Sequence, residues 1–510
     1  MPLACFVLAA CGSTAVAPAP TPAPTAPRAA EVPMSDPHEY AIERIGREAG
    51  RKIFATTGIG DPYRTGVPLP IFLALLRGFP DAFGATTGEL ADRFGFVRRA
   101  PDPASADLDE REGLPIGMHA TVDPITGVPF VVTSCALCHA EKVRWRGGEA
   151  LVVGLANKRV KIHAYDRAFS DVVGKPGFSV ERLGRLAAEE AARKKIAWPD
   201  TYREAFTAAA VAALQQRARD RGELHARTRL DPPGRVATIE AFAVVLGQLT
   251  GRPVDFAPTV GWAKIPDVIG FAQKTTLSWD SSAQGPMDLL VVEADVAAGV
   301  RVAWLEQHPG QGPSLGAYLR QPAPRPAFPG KIDRDLAARG ARVFDKECAR
   351  CHGRYTPDGR VVDYDEEAVS AEELGVDPAR VQAATASFER AANDPALTRG
   401  YTKFERSSGY VPPILSNVWA RAPYGHAGQW PTLAYLATPP GKRAPRFVVD
   451  LGALYDLDAV GVAVLPAEAP AGRDAYVHDA AQPGFSVLGH SYLADTGPEA
   501  RAVVEYLKTL

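Results

Sequence analysis

The sequence has no cysteine to spare. Four of its six cysteines fall in two Cys-x-x-Cys-His runs, Cys135-Ala-Leu-Cys138-His139 and Cys348-Ala-Arg-Cys351-His352, and the other two, Cys5 and Cys11, lie at the extreme N-terminus. No pair is left for a structural disulfide. Methionine is scarcer: Met1, Met34, Met118 and Met287 are the only four, and none follows the second run. Long apolar stretches are missing too. Val67 to Leu76 is broken by Pro68 and Pro70 and ends at Arg77, so nothing approaches the roughly 18 to 20 uninterrupted apolar residues of a membrane span. The net charge is −2 with Lys and Arg scattered along the chain. No basic stripe offers the counterion release on which nucleic-acid binding depends, so no nucleic-acid partner is expected.

What is present is a chain of 510 residues, 46% apolar and 23% charged, the composition of a globular body too long for one core. Two or three domains are expected. Its first residues form a short apolar run ending in Leu8-Ala9-Ala10-Cys11, which resembles the cleavage box of a bacterial lipoprotein, with Cys11 as the lipidated residue. The Ala/Pro/Thr-rich segment from Ala15 to Pro33 reads as an extended tether. The expected location is therefore outside the cytoplasm, as a periplasmic or outer-membrane lipoprotein anchored at Cys11.

Pro37 to Phe54 has helical spacing, and the glycine- and proline-rich run after it ends the pattern. Leu108 to Phe130 reads as irregular and delivers the chain to Cys135 through a loop or short strand. From Ser179 to Arg229 strong helix formers dominate, divided at Trp198-Pro199-Asp200, which predicts an exposed helical hairpin. The stretch from Asp231 to Asp280 reads as loop-rich, and Gln321 to Pro326 as a linker. Ile332 to Phe344 has amphipathic spacing leading into the second Cys-x-x-Cys-His run, and Glu499 to Leu510 reads as a closing helix.

In Cys-x-x-Cys-His, two thiols add across the vinyl groups of one haem and the adjoining His turns back to ligate its iron. A zinc site would normally gather four ligands from two Cys pairs or from added His, whereas here each pair is followed at once by a His. A thioredoxin-like redox pair would want a strand before and a helix after it. Two covalent haems c are expected, held by Cys135, Cys138 and His139 and by Cys348, Cys351 and His352. Function then turns on the sixth iron position: a second strong ligand makes an electron carrier, and an open position admits oxygen or peroxide.

With no methionine after the second run, a histidine is expected there. His426, in a flexible Ala-Pro-Tyr-Gly-His-Ala-Gly loop, is chosen, with His478 and His490 as alternatives. For the first haem the candidates are His163, Met118 and His119, with His163 preferred.

Tyr410 to Leu433, with its Trp-Ala-x-Ala-Pro-Tyr-x-His-x-Gly core ending in Pro-Thr-Leu, resembles the bacterial di-haem cytochrome c peroxidase superfamily, most closely its rubber oxygenase-like branch. The resemblance extends to Trp279-Asp280 and to Gly489-His490 ahead of the C-terminal helix. It implies that His426 is the distal ligand of the C-terminal haem and that Trp279-Asp280 lies beside the N-terminal one. Ser281 departs from the family's glycine, and Met287 to Val292 replaces its acidic and polar residues, leaving Glu293 as a displaced acid. Trp262, Phe271 and Trp279 would line an apolar oxygen pocket.

The expectation is a mainly α protein: tether 1–33, an N-terminal haem c domain 34–325 with a helical hairpin insertion near 179–229, and a C-terminal haem c domain 326–510, both rich in loops. Haem 1 would meet a small oxidant such as peroxide or dioxygen with Trp279, Asp280 and Glu293 at its distal side, and haem 2 would relay an electron from a donor protein. The alternative is a pure electron-transfer cytochrome. Material matured in a host that assembles c-type cytochromes is expected to stain for haem on a denaturing gel and to carry two haem masses. Bare thiols, or zinc in place of iron, would reverse the reading.

Overall fold

The computed structural model describes residues 47–510, apart from 58–59, 61, 229–231, 258–261, 269–270, 298–299, 301, 322–325 and 399–401. The expected anchor and tether, with Cys5 and Cys11, and the expected boundary at 325/326 lie outside the described residues. Arg44 to Leu510 forms one compact unit. Among the described residues no helix is long and apolar enough to cross a membrane.

The first core is built on the helix Leu69–Gly78, which buries eight consecutive residues from Leu69 to Leu76. A helix apolar on all sides must be enclosed, and Val180–Lys194 closes it by burying Leu183, Leu186, Ala187 and Ala191. The hairpin of Val180–Lys194 and Asp200–Arg227 therefore belongs to the core, where the sequence suggested exposure. An ion cluster fixes its second arm: Asp166 on the helix Ile162–Val173 accepts from Arg217 at 2.8 Å and lies 3.2 Å from His225.

The stretch expected to be irregular contains an antiparallel hairpin, Met118–Val122 with Pro129–Thr133, which ends two residues before Cys135. A second hairpin, Ala140–Trp145 with Gly148–Val153, begins directly after His139. The first Cys-x-x-Cys-His turn is thus clamped between two hairpins. Its underside is Gly117, where φ is +86° and a Cβ would overlap the backbone of Leu137. The stretch 231–280 also departs from expectation, because it holds the helix Thr238–Thr250.

The second core joins the helices Arg334–Glu347 and Ala500–Leu507 to a three-stranded antiparallel sheet, Arg446–Asp450 between Ala463–Leu465 and Ala475–Asp479. Val143, Val152 and Leu155, from the hairpin beyond the first turn, pack into this core. The fold is therefore mixed, not mainly α. Most strands have two to five residues, too few to give a period-two signal.

The two helices of the second core approach so closely that a Cβ on Gly340 would overlap the Ala502 carbonyl. Gly340→Ala is expected to cost roughly 1–3 kcal/mol, outweighing the ~1 kcal/mol of helix propensity that alanine brings. Urea denaturation checks this, and an unchanged midpoint would mean that the helices separate freely.

Candidate functional site

The helix Arg334–Glu347 is fixed by Ala337, Gly340 and Phe344 on its buried face and ends at Cys348. One further turn, Ala349–His352, brings both sulfurs and the imidazole to one side, with His352 N–H donating to the Cys348 carbonyl at 3.0 Å. Tyr355 Oη then donates to the His352 carbonyl at 2.9 Å and accepts from Leu415 N–H at 2.6 Å.

His352 Nδ1 lies 2.9 Å from the Pro413 carbonyl oxygen. A carbonyl can only accept, so Nδ1 carries the proton and Nε2 keeps the lone pair a metal needs. Burial holds the imidazole pKa below its ordinary value, so it is neutral at pH 7.

His352 opens on a cavity walled mainly by apolar side chains, among them Phe344, Leu374, Leu415, Leu433 and Leu507, with Cys348 and Cys351 at its edge. Across it stands His490, its ring centroid 6.1 Å from that of His352. The two imidazoles would hold the iron of a haem seated in this cavity, which supplies redox chemistry when bound. His490 is held between Trp430 and Tyr492, each 5.5 Å away. Its loop meets that of Gly375 so closely that only a glycine fits at position 489. Burial pushes its pKa down to about 4.

His426 lines the same cavity but is engaged differently. Its ring stacks on Tyr410 at 4.5 Å, and Nε2 lies 3.1 Å from the Gly484 carbonyl, to which it must donate. Burial, reinforced by Arg380, lowers its pKa to about 3. Of the three histidines weighed for the sixth position, His490 faces His352 and His426 is bonded to backbone. His478 is fully buried and bonds the Phe485 carbonyl at 2.9 Å.

One edge of the cavity is polar. Lys264 Nζ donates to the carbonyls of Arg421 at 2.5 Å and Pro423 at 3.2 Å, and burial pushes its pKa down to about 8. Arg421 is 8% exposed and gives Nη1 to the Ile414 carbonyl at 2.5 Å, while Nε and Nη2 have no hydrogen-bond partner. Unused donors on a buried cation are costly, and a carboxylate entering this edge would satisfy them. Haem has two such groups, so turn, imidazole, apolar walls and polar edge all fit it.

At the first turn, His139 N–H donates to the Cys135 carbonyl at 2.9 Å, repeating the geometry of the second. Burial pushes the His139 pKa down to about 4, with Asp267 and the Pro266 carbonyl pulling the other way. Phe54 lies 6.3 Å from its ring, and Phe271, Met287, Leu290 and Leu315 form the apolar cluster that includes Cys135. Met287 had not been singled out as a ligand, since nothing in its local sequence pointed to Cys135.

The other candidates scatter. His119 gives Nδ1 to Asp109 at 2.7 Å and has Nε2 3.3 Å from Ser134 Oγ, so neither nitrogen is left for iron. Met118 lies in the first core. His163 is half-buried on the helix Ile162–Val173, whose apolar face packs in that same core. Trp279 lines the His352 cavity and donates Nε1 to the Lys264 carbonyl at 2.8 Å. Asp280 is buried against Arg380 at 3.4 Å and accepts from Ser282. The side chain of Glu293 lies outside the described residues. Trp262 packs with Phe485, so of the three expected pocket aromatics only Phe271 sits with Cys135.

Residues 409–448, which carry Pro413, Arg421, His426 and Trp430, match the family model described as RoxA-like, cytochrome c-like. This supports the RoxA-like cytochrome branch, and such a domain implies haem c. An uncharacterized protein of Sinorhizobium fredii, y4iJ, is 22% identical over 83% of this chain and 85% of its own length. A second from that organism, y4iM, is 28% identical over 36% of this chain and 51% of its own.

His490→Ala is expected to convert the haem held by Cys348 and Cys351 from low-spin to high-spin, while His426→Ala leaves it low-spin. Optical and EPR spectra of the two variants decide the ligand, and the reverse pattern would restore His426.

Proposed function

We propose that this chain is an exported di-haem c-type cytochrome acting as an oxidoreductase on a small oxidant, peroxide or dioxygen. The units 34–325 and 326–510 would each hold one haem. The observation that carries the reading is the pair His352 and His490, whose rings stand 6.1 Å apart in one apolar cavity that two cysteines also line. Haem supplies a redox-active iron. His352 and His490 would hold that iron between two imidazoles, which suits electron relay.

At the first turn, His139 would supply one ligand. Phe54, Phe271, Leu290 and Leu315 pack with Cys135, and apolar neighbours of this kind favour a small neutral oxidant over a charged one. Asp280, locked to Arg380, is not placed to move a proton there. An electron-donor protein would act through the second site, and a lipid on Cys11 would hold the molecule at a membrane outside the cytoplasm.

The carrier reading has one observation in its favour: Met287 is buried in the cluster that includes Cys135, and its thioether would complete a His–Met iron. The two are separated by EPR of the oxidised holoprotein. A high-spin signal that shifts with cyanide or peroxide is expected. Two inert low-spin haems, with one turned high-spin by Met287→Leu, would establish the carrier.

A further inference from the structure

We propose that the buried pair Asp267 and Arg421 is a charge link between the two haem attachment sites, with Arg421 taking a propionate of the haem held by Cys348 and Cys351 and Asp267 acting on His139. This rests on the two-haem reading above.

The cavity's other cations are occupied. Lys264 spends its ammonium on two carbonyls, and Arg350 is paired with Glu373 at 3.0 Å on the surface. Among the described residues lining the cavity, Arg421 is the buried cation with unused donors, and its planar fork matches a carboxylate. Its remaining neighbour is Asp267, whose Oδ2 lies 3.6 Å from Nε, the two side chains being 10% and 8% exposed.

Asp267 is fastened to the first attachment turn by the backbone around it. Its Oδ1 accepts from Ala156 N–H at 2.9 Å, and Val268 N–H donates to the Gly154 carbonyl at 3.0 Å. Gly154 N–H in turn donates to the His139 carbonyl at 2.8 Å, and Asn157 N–H to that of Cys138 at 2.8 Å. These bonds hold the segment around Asp267 against the backbone of Cys138 and His139. One carboxylate thus stands on the backbone that braces the first turn and beside the clamp of the second site.

In a dry interior such charges are screened weakly, so neither site can change its charge without the other sensing it. An anion near a haem favours the ferric state and lowers its potential, and a cation does the opposite. Removing Asp267's charge strips an anion from His139 and leaves Arg421 unneutralised. Removing Arg421's charge strips a cation from the second haem and unmasks Asp267 toward the first. Each substitution should therefore move both midpoints, and in the same direction.

The test is potentiometric titration of the holoprotein, followed by EPR so that the two irons are resolved, after a haem count on each protein. Asp267→Asn is expected to raise both midpoints, Arg421→Gln to lower both, and Arg421→Lys, which keeps the charge but loses the fork, to lower both by less. With two haems present, variants that move only one midpoint or none would overturn the link. Should the neutral variants fail to hold haem, Arg421→Lys decides alone, and unmoved midpoints in it overturn the link. Fewer than two haems in the parent protein would instead bring down the two-haem reading, and the link with it.

Discussion

The cavity at His352 depends on one hydrogen bond, from His352 Nδ1 to the Pro413 carbonyl. An imidazole can serve a metal only if one nitrogen is bare and the ring is held still, and a backbone acceptor on the far side does both at once. Pro413 is itself fixed by its surroundings: the Pro412 carbonyl accepts from Tyr364 Oη at 2.8 Å, and Leu415 N–H is tied to Tyr355. The ring's position is therefore set by a loop some sixty residues downstream as much as by the turn that carries it.

Around that point the protein places charge where charge is expensive. Lys264, Asp267, Arg380, Asp280 and Arg421 are each about nine-tenths buried or more, and each has a charged or carbonyl partner, as buried ions must. Arg421 alone among these five stands with two nitrogens unmatched beside a cavity. A site that binds a large apolar ring bearing two acid groups has to be greasy over its area and cationic at one margin, and the distribution of charge here has that form.

Much of this was legible in the sequence. Two short motifs supplied thiols and imidazoles within single turns, and the amphipathic spacing ahead of Cys348 located the helix Arg334–Glu347 that presents the second turn. The hairpin 180–227 could be read from its helix formers and its central Trp-Pro-Asp, yet its burial against Leu69–Gly78 could not, because an Ala-rich face looks alike whether packed or wet. A short strand before Cys135 was one of two readings, but the hairpins flanking it gave no alternation to read, since Pro129–Thr133 buries four consecutive residues. His119, equally suited on paper to iron, is absorbed by Asp109 and Ser134, and no local pattern predicts that.

The sequence by itself determined where along the chain two thiols and an imidazole meet within one turn, since that pattern is local, and a RoxA-like cytochrome c domain implies haem c. Tertiary structure alone decided between His426 and His490 as the imidazole facing His352, brought Trp279 to the same cavity and set Asp267 between Arg421 and the backbone of Ala156. Those outcomes depend on where backbone carbonyls such as Gly484 and Pro413 lie after folding, and a carbonyl has no letter of its own in the sequence.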